Sequence, residues 1–225
     1  MRKSQQSGIM APPPKKATRS QNPEATKQDI IEVATREFAQ NGLSGARVDE
    51  IAAKTGSSKR MIYYYFGDKD GLYLAVLEEA YKKVRQIEAQ LDLDHMRPAE
   101  ALRKLVEFTF DHHHSNEAFI RLVMIENIHH GDYLARSKTI QDLNVSAIGE
   151  IEQIYRRGVK EGIFRKGLTA IDLHWQISAL CFFNVSNRAT FSRIFQVDLS
   201  SQKAVAALRS HVVQMVLRNV MKTPA

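Results

Sequence analysis

Apolar residues recur every three or four positions along most of this chain, and that spacing predicts helices from end to end. The first stripe is Ile30, Ala34 and Phe38, flanked by Ile31 and Val33. Asn22-Pro23 supplies its start, a capping side chain followed by a proline at the first helical position, and Gly42 its stop. A long fourth helix opens at Asp68 and carries Leu72, Val76, Ala80, Val84, Ile87 and Leu91. Beyond residue 95 the same period places a helix from Pro98 to about His113 and another from about Asn116 to Ile128. A seventh carries Ile140, Leu143, Ala147, Ile151 and Ile154 and stops near Gly162. Thr169-x-x-Asp172 reads as a capping box that opens an eighth helix, running to about Thr190. Ser200 reads as the cap of a ninth, with Val205, Leu208, Val212, Met215 and Val216 on one side. No period-two run and no internal repeat breaks the pattern, so the expected fold class is all-α.

Between the first and fourth helices lies a denser pattern. Val48, Ile51 and Ala52 share one face of a short helix, Gly56 suits a tight turn, and Ser57 or Ser58 caps a second short helix. That helix presents Lys59, Arg60, Tyr63 and Tyr64, while Tyr65 and Phe66 are expected to fill a small core. Two short helices across a glycine turn, the second basic and aromatic, is the layout of a DNA-reading helix-turn-helix. Residues 22–70 are therefore expected to form the DNA-binding head, and residues 71–225 a larger helical domain connected to it by the fourth helix.

Composition sharpens this picture in two places. The 225 residues carry 32 Lys and Arg against 25 Asp and Glu, a formal net charge of +7. Arg2, Lys3, Lys15, Lys16 and Arg19 lie in residues 1–21 with no acid beside them, so most of the excess sits in a polar, proline-containing basic arm. Such an arm either adds phosphate contacts or is a solvated leader. The single cysteine, Cys181, leaves no internal disulfide, and no secretory or membrane-spanning stretch is visible; a cytoplasmic location is expected.

No phosphate loop, nucleotide-binding glycine fingerprint or nucleophile–base motif occurs, so an enzyme is not expected, and nothing calls for a cofactor. His112, His113 and His114 are adjacent, as are His129 and His130. On a helix, neighbours point about 100° apart, and no histidine pair has the i, i+4 spacing of a helical metal site; no metal is expected.

The stretches Val48-Asp49-Glu50-Ile51-Ala52, Gly56-Ser57-Ser58-Lys59, Ile62-Tyr63-Tyr64-Tyr65-Phe66 and Asp68-Lys69, followed by Leu72-Tyr73, resemble the DNA-binding domain of TetR/AcrR-type transcriptional regulators. Ala34, Phe38 and Asn41-Gly42 extend the match over about residues 22–75. The resemblance implies a homodimeric, ligand-responsive regulator, expected to be a repressor, on an inverted-repeat operator of double-stranded DNA. Its DNA side would comprise Ser58, Lys59, Arg60, Tyr63 and Tyr64 in the major groove, with Lys69 on a phosphate. Arg47 departs from the family pattern, because a Ser or Thr usually caps the second helix there. Arginine cannot accept a backbone N–H, so Arg47 either contacts DNA or leaves a weaker helix start.

The resemblance further implies that the second domain holds a small-molecule effector and dimerises through the eighth and ninth predicted helices. The residues themselves suggest Phe108, His112, Arg121, Trp175, Phe183 and Asn184 as pocket groups, being polar or aromatic positions within apolar helices. An arginine in an apolar pocket suits a carboxylate, so an aromatic or carboxylate effector is expected; a helix-surface pair of Arg121 with Glu117 or Glu126 is the competing reading.

Overall fold

The computed structural model describes residues 22–222. They form ten α-helices: α1 Pro23–Gly45, α2 Val48–Thr55, α3 Lys59–Phe66, α4 Lys69–Glu88, α5 Pro98–Ser115, α6 Glu117–Ile128, α7 Lys138–Lys160, α8 Ala170–Ser186, α9 Arg188–Phe195 and α10 Gln202–Val220. Among the described residues there is no strand, only an isolated antiparallel bridge between Phe164 and Met221 that ties the end of α10 to the α7–α8 connection.

Most helix starts follow from their capping residues. Asn22 accepts from the Glu24 N–H ahead of Pro23, Ser58 from Met61, Asp68 from Gly71, and Thr169 and Asp172 form the reciprocal box of α8. Each cap of this kind is worth about 1 kcal/mol. Three boundaries differ from the sequence expectation. The fourth helix ends at Glu88, and Leu91 falls in a 3₁₀ turn beyond it. The eighth predicted helix is broken at Asn187, so α8 ends at Ser186 and a separate α9 follows. The last helix is capped by Ser201 through the Ala204 N–H, while Ser200 donates instead to Asp198.

Two apolar clusters organise the helices. One joins α1, α2, α3 and the first half of α4, with Ile30, Phe38, Ile51, Ile62 and Tyr73 fully buried, and extends to Leu122 of α6 and Ile140 of α7. The other joins α5, α7, α8 and α10 around Leu102, Ile151, Ile177 and Val216. The head is thus not closed on itself at residue 70. Its core continues through Leu72, Tyr73, Val76 and Leu77 of α4 and is completed from α6. Phe66 explains one local choice: a Cβ on Gly71 would lie 2.0 Å from the Phe66 carbonyl oxygen, so the first turn of α4 packs against the end of α3 only with glycine there.

Candidate functional site

The helix-turn-helix is a rigid mount. Gly56 ends α2 in the left-handed region at φ +62°, and the chain enters α3 two residues later through the Ser58 cap. Ile62 is completely buried beneath α3, with Tyr65 and Phe66 packed at the same core, which turns the opposite edge outward. Lys59, Arg60, Tyr63 and Tyr64 occupy that edge, Tyr64 with 81 % of its surface exposed. Lys59 does not stand free: its Nζ is 3.1 Å from Asp49 Oδ2 of α2 and lies over the Tyr63 ring at 5.9 Å from the centroid. Arg60 makes no ion pair among the described residues. Ser58 is committed to capping, its Oγ accepting from the Met61 N–H at 3.1 Å. Lys69 donates to the Ser44 carbonyl at 3.2 Å, on the turn that leads into α2.

Arg47, exposed at the start of α2, makes no capping bond with its side chain. A residue of α1 holds α2 by a different route. Glu37, 4 % exposed, accepts from Asn41 at 2.8 Å and from Lys54 at 2.9 Å. Lys54, acting chiefly through its hydrogen bond, holds the Glu37 carboxyl below its ordinary pKa against the opposing effect of burial; Asn41 and the Arg47 backbone add to the depression. One buried carboxylate therefore fastens α2 to α1 near both of its ends, which the sequence pattern did not reveal.

A cavity of about 490 Å³ opens in the second domain, walled by α4, α5, α6, α7 and α8. Phe108 and His112 line it as the sequence suggested, and Trp175 stands at its margin, 70 % exposed. Three expected pocket residues lie elsewhere. Arg121 points away from the cavity and donates from Nε to the Ala39 carbonyl at 2.5 Å and from its terminal nitrogen to Gln40 at 3.4 Å. It clamps α6 onto the end of α1, because the carbonyls next to the Gly42 break lack helical partners and attract a cation. Phe183 faces outward, 51 % exposed, with its ring 6.2 Å from Phe191. Asn184 turns back along its own helix to the Leu180 carbonyl.

The cavity's polar groups were mostly not singled out by sequence. Arg85 of α4 pairs with Glu88 one turn on and donates to Asn144 Oδ1 of α7 at 3.2 Å. His113 lines the cavity beside His112, and His174 of α8 joins them. The 100° separation of neighbours on α5 did not keep both out, since the cavity is wide enough to reach two faces of that helix. Burial, followed by the His112 charge, pushes the His113 imidazole down to about 4. Burial and then Arg85 lower His112 and His174 as well. Among the described residues, no group of three or more His, Cys, Asp or Glu is arranged to hold a metal ion.

Comparisons with known proteins agree with this geometry. The family model described as bacterial regulatory proteins, tetR family, matches residues 30–76, and that described as tetracyclin repressor-like, C-terminal domain, matches residues 98–216. The chain is 34 % identical over 208 residues to the HTH-type transcriptional repressor NicS of Pseudomonas putida, covering 92 % of this chain and 98 % of that protein. Among solved structures, a bacterial regulatory protein of the tetR family from Rhodococcus RHA1 aligns with a TM-score of 0.69 at 20 % identity, over 88 % of this chain and 98 % of its own. The regulator FadR of Bacillus subtilis, solved in complex with stearoyl-CoA, aligns with a TM-score of 0.65 at 16 % identity, over 85 % and 98 %. A head built to present α3, a helical domain around a cavity and family models matching both parts together identify the chain as a member of the TetR family of bacterial regulatory proteins, with a helix-turn-helix DNA-binding head.

Proposed function

We propose that the protein is a homodimeric transcriptional repressor that binds an inverted-repeat operator and is released when a small molecule occupies the cavity. The observation that carries this reading is the edge of α3, where Lys59, Arg60, Tyr63 and Tyr64 project from a helix locked by Ile62. Arginine and lysine donate to guanine O6 and N7, and tyrosine hydroxyls reach phosphates. Arg47 and Lys69 flank this edge and would meet the backbone, with Ser58 holding the first turn of α3 in place. The relative from Pseudomonas putida carries the name of a repressor, which supports that sign of regulation.

The dimer would form on the outer apolar face of the last three helices. Ile171, Trp175 and Phe183 of α8 and Phe191, Ile194 and Phe195 of α9 are all exposed large apolar side chains, as is Met215 of α10. Apolar surface of this extent marks an interaction site. The effector reading rests on the cavity, and the stearoyl-CoA complex of FadR shows that a protein of this fold holds a ligand. Two helices touch both cavity and head. α4 contributes Tyr81, Val84 and Arg85 to the cavity and Leu72 to Leu77 to the head core, while α6 contributes Phe119 and Val123 to one and Leu122 to the other. A ligand that favours one arrangement of α4 and α6 shifts DNA affinity by its differential affinity for the two arrangements.

Selection of bound sites from random double-stranded DNA, with the full-length protein, tests the proposal. An enriched inverted repeat with half-sites about one turn apart, roughly 34–36 Å, is the expected result. Strong binding without an enriched motif, weakened steeply by salt, would make the protein a sequence-independent DNA binder instead.

A further inference from the structure

Taking the cavity as the effector site, its chemistry narrows what it accepts. Arg85 is the one arginine on its wall among the described residues, and its charge reaches His112, His113 and His174 alike. Glu88 pairs with that guanidinium on the same wall. Glu150 of α7, close to Glu88, is pushed toward its neutral form by burial and then by that neighbour. The remaining groups facing the imidazoles carry no charge: Tyr81 from α4, Asn127 from α6, Asn144 from α7 and the Cys181 backbone from α8. Burial and Arg85 together hold the imidazoles toward their neutral form, so Arg85 is the cation that faces them. An amine would be repelled there, and an anion would both be attracted and make protonation of an imidazole favourable.

The walls specify shape. Phe119 stands edge-on to Tyr81 at 5.3 Å and to His112 at 5.6 Å between ring centroids, and Phe108 lies 5.8 Å from His112. These rings line the cavity, and a further flat ring packs on aromatic faces and edges in the same mode.

We propose that the cavity binds a small aromatic carboxylate together with one proton, the carboxylate lying between Arg85 and the imidazoles of His112, His113 and His174 and the ring against Tyr81, Phe108 and Phe119. The proton comes from solvent and rests on an imidazole nitrogen, so the anion, Arg85 and the new imidazolium balance Glu88 without an unpaired buried charge.

The test uses benzoate with two uncharged or oppositely charged counterparts, benzamide and benzylamine, on the full-length protein. Trp175, the only tryptophan of the chain, sits at the cavity margin and reports binding by fluorescence. Calorimetry in two buffers of different protonation enthalpy counts the protons taken up. Benzoate is expected to bind with uptake of about one proton, and its affinity to fall about tenfold per pH unit as pH rises above neutrality. Benzamide and benzylamine are expected to bind at least about tenfold more weakly, a difference of about 1.4 kcal/mol. Replacing His113 by glutamine keeps a hydrogen-bonding side chain of similar reach and is expected to lower the proton count; Arg85→Met is expected to abolish benzoate binding, with the melting temperature checking that each variant is folded. Equal binding of benzamide or benzylamine, binding of benzoate without proton uptake, or no binding of benzoate at millimolar concentration overturns the assignment. Operator selection with the same preparation separates the two readings. Specific DNA binding without benzoate binding removes only the ligand class, whereas loss of specific DNA binding removes the regulator reading whatever the cavity holds.

Discussion

Lys59 shows how single residues shape the proposed DNA interface. It begins the exposed edge of α3, but its ammonium is neutralised by Asp49 and shared with the Tyr63 ring. In the proposed complex a phosphate or guanine replaces Asp49 as its partner, so part of the attraction is offset by breaking that pair, which as an exposed pair is itself weak. Arg60, without an ion partner among the described residues, would keep its full charge for the proposed contact. The double replacement Lys59→Ala, Arg60→Ala is expected to weaken specific binding by about 2–4 kcal/mol with the melting temperature unchanged, because neither side chain is buried. Unchanged operator affinity in a filter-binding titration would move the reading contacts to Tyr63 and Tyr64. Glu37 works in the opposite direction, on stability alone. Its folded pKa is lowered, so the stability it adds is present above its ordinary pKa of 4.5 and is lost as pH falls through the lower folded value. Glu37→Gln is expected to cost about 2 kcal/mol at neutral pH, by denaturant unfolding, and the gap from the parent protein to narrow as the pH is lowered below about 4.

The clearest element-scale feature is α6. One side of it carries Phe119, Val123 and Asn127 to the cavity, while Leu122 and Arg121 grip the head. Arg121 occupies an amphipathic position that reads in sequence as either a pocket cation or a helix-surface pair. The surface pair is present, Arg121 lying 4.0 Å from Glu117, and to it the fold adds the Ala39 and Gln40 carbonyls, more than eighty residues away and next to the break of α1 at Gly42, where φ is +72°. Arg121→Ala is expected to cost about 1–2 kcal/mol and to speed amide hydrogen exchange over residues 39–46 more than elsewhere. Uniform acceleration across the chain would show that the clamp acts on global stability rather than on the α1–α6 contact. The break of the eighth predicted helix at Asn187 has a similar origin. Its apolar residues keep helical period through Phe191, so periodicity alone runs the helix on. In the structure, Asn187 adopts φ −105° and ψ 0° and starts a new helix, turning Phe191, Ile194 and Phe195 onto the surface beside Phe183.

At the scale of the whole molecule the proposed dimer decides activity, because two heads must meet two half-sites at once. Phe191→Asp with Ile194→Asp, both at exposed positions, is expected to leave the fold of one chain intact, to halve the mass measured by sedimentation, and to lower operator affinity by orders of magnitude through the loss of bivalent binding. A variant that stays dimeric would place the interface elsewhere. The all-helical class, the helix-turn-helix, the caps at Asn22, Asp68 and Thr169 and the exposed edge of α3 are local properties. They depend on residues within one or two turns of each other, which is why the linear pattern carries them. The cavity and its Arg85–histidine chemistry, the buried Glu37 anchor, the Arg121 clamp and the outward face of α9 join residues from different helices. Periodicity says which side of a helix is apolar but not which neighbour it meets, so Phe108 and His112 fell on the cavity wall while Arg121, Phe183 and Asn184 did not. What the chain determined by itself was the all-helical class, most of the helices and the helix-turn-helix; what only tertiary packing decided was where polar groups converge, because a buried charge finds its partner across space rather than along the sequence.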